Sequence, residues 1–94
     1  MNRNAKITMV RNRKLTELKN IGTKTANRLN EVGIFSEKDL QAVGAIDAHK
    51  MIKEKYPRKV IPVGYYLYSF EGALCDKHWN DIGVRKKRAL KKRI

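Results

Sequence analysis

The sequence predicts an all-α fold: a compact domain of five to six short helices, two of them joined by a tight turn that is echoed, in degenerate form, further along the chain. Three observations carry this. Proline occurs only at Pro57 and Pro62, so helices can run through most of the chain. Apolar residues return every three or four positions, which is the period of a helix with one buried face. The stretch Asn20-Ile21-Gly22 interrupts two such patterns with residues suited to a sharp turn.

The periodicity places the first helix over Arg11 to Lys19 and the second over Lys24 to Val32, with Gly33 as the C-terminal cap of the second. The third spans Glu37 to Val43; Ser36 is its N-cap, and Asp39, three residues on, gives the pattern of a capping box. A fourth runs from Ile46 to Tyr56 and stops there because proline drives its preceding residue out of helical geometry. Lys53 and Lys55 suit the negative end of its dipole. Arg58 to Val63 form a connector. Tyr66, Leu67, Phe70, Ala73 and Leu74 then mark one apolar stripe of a fifth helix. Phe70 is assigned to the core, whereas Tyr65 and Tyr68 fit either the core or an exposed face. The last helix is expected to begin near Asp81 with Asn80 as its cap and to continue into the basic end of the chain, with Leu90 and Ile94 one turn apart.

Leu18 to Leu29 resembles the helix-hairpin-helix consensus. Asn20 stands where that motif places its first, left-handed glycine, and asparagine is the best non-glycine choice for positive φ. Gly22 takes the second glycine position. Ile21 should point into the core, Ala26 should permit close helix approach, and Leu18 with Leu29 should close the apolar contact beneath the turn. Amides from Gly22 to Thr25 would then lie at a helix N-terminus, where unpaired N–H groups and the dipole favour an anion such as phosphate. Asn20, Gly22, Thr23, Lys24, Thr25 and Arg28 are therefore candidate backbone-contacting residues; the alternative is a tight turn with Lys24 and Arg28 merely solvated. Displaced by 22 positions, Leu18, Ile21, Gly22, Ala26 and Leu29 fall on Leu40, Val43, Gly44, Ala48 and Met51, while Asn20, Thr23 and Lys24 become Ala42, Ala45 and Ile46. The echo keeps the apolar frame and drops the polar and cationic groups.

Net charge is +13, very unevenly placed. An N-terminal arm, residues 1–14, carries Arg3, Lys6, Arg11, Arg13 and Lys14 with no acid, and a C-terminal tail, residues 84–94, carries Arg85, Lys86, Lys87, Arg88, Lys91, Lys92 and Arg93 with none. The body between, residues 15–83, is nearly neutral. Two basic ends on one small body attract a polyanion by releasing its condensed counterions. Arg85, Lys86, Lys87, Arg88, Lys91 and Lys92 join the hairpin residues as candidate nucleic-acid contacts. Ninety-four residues suit a single domain with one modest core. The first fourteen lack an apolar run long enough for an export signal, and no stretch approaches membrane-spanning length, so a cytoplasmic location without membrane association is expected.

Leu18-x-Asn20-Ile21-Gly22, Arg28-Leu29-x-x-Val32-Gly33-Ile34 and Asp39-Leu40-x-x-Val43-Gly44-Ala45, followed by Leu67-Tyr68-x-x-Glu71-Gly72-Ala73-Leu74 and His78-Trp79-Asn80, resemble the C-terminal domain of the TfoX/Sxy competence regulators. The resemblance covers roughly Leu15 to Ile82. It implies an all-helical fold related to helix-hairpin-helix domains and a bacterial setting connected with regulation of DNA-uptake genes, here as that domain standing alone.

No cofactor, metal or catalytic group is expected. Cys75 is the single cysteine, read as a buried, inert thiol; His78 lies beside Trp79 and Asp76 but far from His49, with no ligand cluster around either. Trp79 is read as a cover for one end of the core, and Glu71 as an acceptor for a helix terminus. The reading that follows is a non-enzymatic, nucleic-acid-binding module with a regulatory role, contacting phosphates of double-stranded DNA in preference to RNA. The alternative is a protein-interaction adaptor of a bacterial regulatory complex, whose signature would be an exposed cluster of Phe35, Tyr65 and Tyr68.

Overall fold

The computed structural model describes residues 12–94, and over that span the chain is all-helical. A 3-10 turn, Leu15–Glu17, leads into α1 (Thr23–Glu31), α2 (Glu37–Val43) and α3 (Ala45–Lys55); α4 (Leu67–Cys75) follows the connector, then a second 3-10 turn, Trp79–Asp81, and α5 (Val84–Lys91). The main packing is α3 against α4, with α2 resting on both. Leu29, Ile34, Leu40, Ile52, Leu67 and Phe70 are fully buried between them. Phe70 therefore sits in the core, Tyr65 is exposed and Tyr68 is half-buried.

Where local signals decide, expectation and structure agree. α2 has the expected bounds, with the Ser36 hydroxyl accepting from the Asp39 amide at 3.3 Å, although the Asp39 carboxylate returns to the Phe35 amide rather than to that of Ser36. Gly33, at φ 86°, ends α1 in a paired turn: Ile34 N–H reaches Leu29 C=O at 2.9 Å and Gly33 N–H reaches Asn30 C=O at 3.0 Å. The apolar contact that accompanies such a turn joins Ile34 and Leu29, both buried. α3 stops at Lys55, just before Tyr56 and Pro57.

Where the tertiary structure overrides them, they differ. The first helix, expected over Arg11 to Lys19, is reduced in the described residues to the turn Leu15–Glu17. Asn12, Arg13 and Lys14 before it are extended because they serve α2. Arg13 C=O accepts from the Glu37 amide at 3.0 Å, Asn12 Oδ1 accepts from the Lys38 amide at 3.0 Å, and Lys14 forms an antiparallel bridge with Ser36. With Ser36 on Asp39, all three first-turn amides of α2 are thus satisfied. Arg13 completes the arrangement with its guanidinium, donating at 3.0 Å to both Glu37 oxygens and at 3.3 Å to Asp76. Glu37 is buried, and Arg13 is held charged well above its ordinary pKa, chiefly by the hydrogen bond to Glu37.

The last helix starts at Val84 after Gly83, not after Asn80, which instead lies in the 3-10 turn. The reason lies far away in sequence. Asn20, at φ 72°, has the left-handed backbone expected of it, and its side chain reaches across to the end of α4. Its amide nitrogen donates to Ser69 C=O at 3.2 Å and Lys77 C=O at 2.9 Å, and its oxygen accepts from the Trp79 amide at 3.1 Å. Gly72 makes this possible: a Cβ there would lie 2.5 Å from the Asn20 nitrogen and 2.6 Å from Lys77 O. Asn20→Gly keeps the backbone but deletes three hydrogen bonds and should lower unfolding free energy by about 2–3 kcal/mol, with Asn20→Ala about 1 kcal/mol worse because alanine resists positive φ. Urea denaturation measures both, and an Asn20→Gly protein as stable as the parent would refute the role.

His49 on α3 is fully buried, and neither ring nitrogen has a hydrogen-bond partner. Burial, reinforced by the Lys53 charge, holds its pKa below the ordinary 6.5. The unfolded chain therefore binds a proton more readily than the folded one, so stability is full above that value and falls as pH drops below it. Melting temperature should decline between neutral pH and pH 5, and His49→Leu should remove that component while costing little at neutral pH, since it deletes two unsatisfied nitrogens. Identical acid profiles for parent and variant would contradict this assignment.

Candidate nucleic-acid interface

The hairpin around Asn20-Ile21-Gly22 has the expected apolar side: Leu18, Ile21, Ala26 and Leu29 are all buried. Its first limb is a 3-10 turn rather than a helix. Gly22 is the N-cap of α1, in extended geometry, and no side chain caps the helix. The first bond of α1 runs from Ala26 N–H to Gly22 C=O at 2.9 Å, so the amides of Thr23, Lys24 and Thr25 precede the ladder. Gly22, Thr23 and Lys24 are exposed there.

Three of the expected hairpin contacts are turned to other uses. Thr25 is buried, facing inward. Asn20 spends its side chain on Ser69, Lys77 and Trp79. Arg28 lies 4.3 Å over the Tyr56 ring and 3.6 Å from Glu31, and a hydrogen bond to Tyr66, with these neighbours, raises its pKa further. Tyr56 in turn donates to Glu31, which holds the Glu31 carboxyl below its ordinary range. Of the two candidate hairpin cations, Lys24 is the one left to solvent.

The tail residues of the candidate site lie on α5, with Lys92 as its C-cap, and the helix sorts them. Leu90 is buried and fixes the inward face. At 100° per residue, Arg85, Arg88 and Lys92 fall opposite it, with Lys91 beside them. All four are exposed, and among the described residues none takes part in an ion pair. Lys86 and Lys87 flank the inward face and are engaged: Lys86 lies 3.2 Å from Glu71, and Lys87 lies 5.2 Å from the Trp79 ring and 5.4 Å from that of Tyr68. Arg3, Lys6 and Arg11 of the N-terminal arm fall outside the described residues.

The second copy repeats part of the frame, with Val43 and Met51 only half-buried where Ile21 and Leu29 are buried. Ala48 N–H reaches Gly44 C=O at 3.0 Å, the counterpart of Ala26 on Gly22, and Leu40 and Ala48 are fully buried. The positive φ has moved, from Asn20 to Gly44 at 87°. The cations that this copy lacks in sequence arrive from α5 and the residues after it: a cleft of about 460 Å³ at the start of α3 is lined by Gly44 to Asp47 and by Lys86 and Arg93, together with the carboxylates of Asp47 and Glu71, the latter paired with Lys86. Opposed charges leave this cleft less suited to phosphate than the open face of α5.

The remaining expectations are corrected or refined. Cys75 is exposed, not buried; partial desolvation and then Glu71, whose oxygen lies 3.6 Å from the sulfur, raise the thiol pKa and disfavour the reactive thiolate. Glu71 accepts from Cys75 and Lys86 rather than from a helix terminus. Trp79 lies outside the core cluster and is 37% exposed. Phe35 and Tyr65 are 64% and 49% exposed, but among the described residues no ring contact joins them to each other or to Tyr68. No helix of the described residues is long and apolar enough to cross a membrane.

The family model described as the TfoX C-terminal domain matches residues 11–94. Two crystal structures from Listeria monocytogenes share the fold. One, a triclinic form of a protein described as uncharacterized, is 33% identical with a TM-score of 0.75, covering 84% of this chain and 86% of its own. The other, a tetragonal form of a protein described as of unknown function, is 34% identical with the same TM-score, covering 84% of this chain and 94% of its own. No curated protein matches the sequence.

Proposed function

The chain belongs to the TfoX C-terminal domain family, and from that premise we propose that it is a non-catalytic module that binds nucleic acid through its phosphates, with a regulatory role of the TfoX type. The observation that carries this reading is the outer face of α5. Arg85, Arg88, Lys91 and Lys92 stand there together, exposed and without ion-pair partners among the described residues, on a segment without a single acid. Four guanidinium and ammonium groups along one helix face suit a ligand with evenly repeated negative charge, and each phosphate neutralised releases counterions to solvent. Lys24, with the uncapped amides at the start of α1, supplies a fifth contact of the same kind.

Such contacts position a backbone without reading bases, so little sequence preference is expected. Duplex DNA is the preferred ligand, since its two strands present the densest row of phosphates to a rigid helix. The adaptor alternative draws on the exposure of Phe35 and Tyr65, but the rings do not join into the apolar cluster it calls for.

Fluorescence anisotropy of a labelled duplex across a salt series tests the proposal. Engaging about five phosphates predicts a log–log slope near −4.5, and reversing Arg85 and Arg88 to glutamate should reduce its magnitude by roughly 2. Lys24→Glu should weaken binding with the fold unchanged. Deleting the whole tail is a poorer test because it removes Leu90 from the core. Micromolar protein that shows no salt-dependent binding would sink the idea, and preferential displacement of the duplex by structured RNA would reassign the ligand.

A further inference from the structure

Trp79 is a large ring that the core does not use. It is 37% exposed, lies outside the core cluster, and its indole N–H has no hydrogen-bond partner among the described residues. Its backbone, by contrast, is firmly held: the amide donates to Asn20 at 3.1 Å and the carbonyl accepts from Ile82 at 3.4 Å. The ring's neighbours are the His78 imidazole, 5.6 Å away and tilted by 32°, and the Lys87 ammonium at 5.2 Å. Lys87 ties this turn to α5, where Val84 and Lys91 lie on the same stripe, one turn to either side, and Arg88 lies next to them. An anchored, exposed indole therefore borders the face that carries the free cations.

We propose that Trp79 is a stacking platform for an unpaired base of a DNA strand whose phosphates run along α5, an inference that rests on the phosphate-binding reading above. The π-face of an indole accepts any base whose own face is free, which a base inside a duplex lacks. On binding, Lys87 moves from the ring to a phosphate, so that a cation–π contact is exchanged for base stacking and a charge contact. Fixing the Trp79 backbone beforehand through Asn20 and Ile82 removes part of the ordering cost of the stack, leaving the side-chain torsions. The stripe of Lys87, Lys91 and Arg88 calls for a polyanion as occupant. The module would then favour duplex DNA that offers a single-stranded overhang or gap beside its phosphates over an uninterrupted blunt duplex.

Trp79 is the only tryptophan, so its emission reports directly on the contact. The full chain should be titrated at low salt with a short oligothymidylate, a blunt duplex and a poly-glutamate peptide, while anisotropy of labelled oligonucleotides reports binding independently. Oligothymidylate should quench the tryptophan strongly and the blunt duplex should bind with little quenching. Trp79→Ala, its fold checked by circular dichroism, should weaken oligothymidylate binding by roughly 5- to 100-fold and duplex binding by less than about twofold, with Trp79→Phe recovering most of the loss. Oligothymidylate that binds with unchanged emission, and equally well to Trp79→Ala, would overturn the stacking proposal while leaving phosphate binding intact. Failure of both oligonucleotides to bind would overturn both readings. Quenching by poly-glutamate as strong as by oligothymidylate would assign the surface to an acidic peptide.

Discussion

The rest of the structure depends on the side chain of Asn20. A left-handed residue between the 3-10 turn and α1 reaches the far end of α4 and there satisfies two carbonyls and one amide. The approach is close enough that Gly72 must lack a Cβ. Through these bonds the hairpin, the end of α4 and the Trp79 turn become one unit, and the path of the chain into α5 follows. A second tie works in parallel. Asp76, among the described residues the other non-glycine with positive φ, ends α4 at φ 59° and holds Arg13, which also grips buried Glu37 at the start of α2. At both places a residue that resists the left-handed region less than most is kept where glycine would fit better, and its side chain makes a long-range bond that glycine lacks.

Much of the fold was legible because its signals are local. Ser36 three residues before Asp39 specifies the start of α2, Gly33 after Val32 specifies the end of α1, and Tyr56-Pro57 ends α3. The positive φ of Asn20 was legible too, from its place in the hairpin. Its partners were not, because Ser69, Lys77 and Trp79 are about fifty or more positions away and carry no pattern of their own. The same limit explains the two misplaced helices. Asn12, Arg13 and Lys14 belong to a stretch with helical spacing but are drawn out straight to cap α2, and Asn80 has the chemistry of a cap but lies in a turn tied down through Trp79.

The candidate site was legible as charge and not as geometry. Counting cations makes every lysine and arginine equal, whereas folding divides them. Arg13, Arg28 and Lys86 are engaged by carboxylates, and Lys87 by two aromatic rings. Arg85, Arg88, Lys91, Lys92 and Lys24 remain turned to solvent. The helical period could have separated Lys86 and Lys87 from their neighbours once Leu90 was taken as buried, since both lie nearer to its face. Nothing local marks Arg28 as a partner of Tyr56, or Thr25 as buried. The unpaired cations thus gather on the outer face of α5, and of the hairpin candidates Gly22, Thr23 and Lys24 stay exposed.

The most direct test of this division is to map amide and side-chain chemical shifts by NMR as duplex DNA is added at low salt. Perturbations should concentrate at Arg85, Arg88, Lys91 and Lys92, with a second group at Gly22 to Lys24, while Phe35 and Tyr65 stay unchanged. Shifts centred on Phe35 and Tyr65 with a silent α5 would contradict this division.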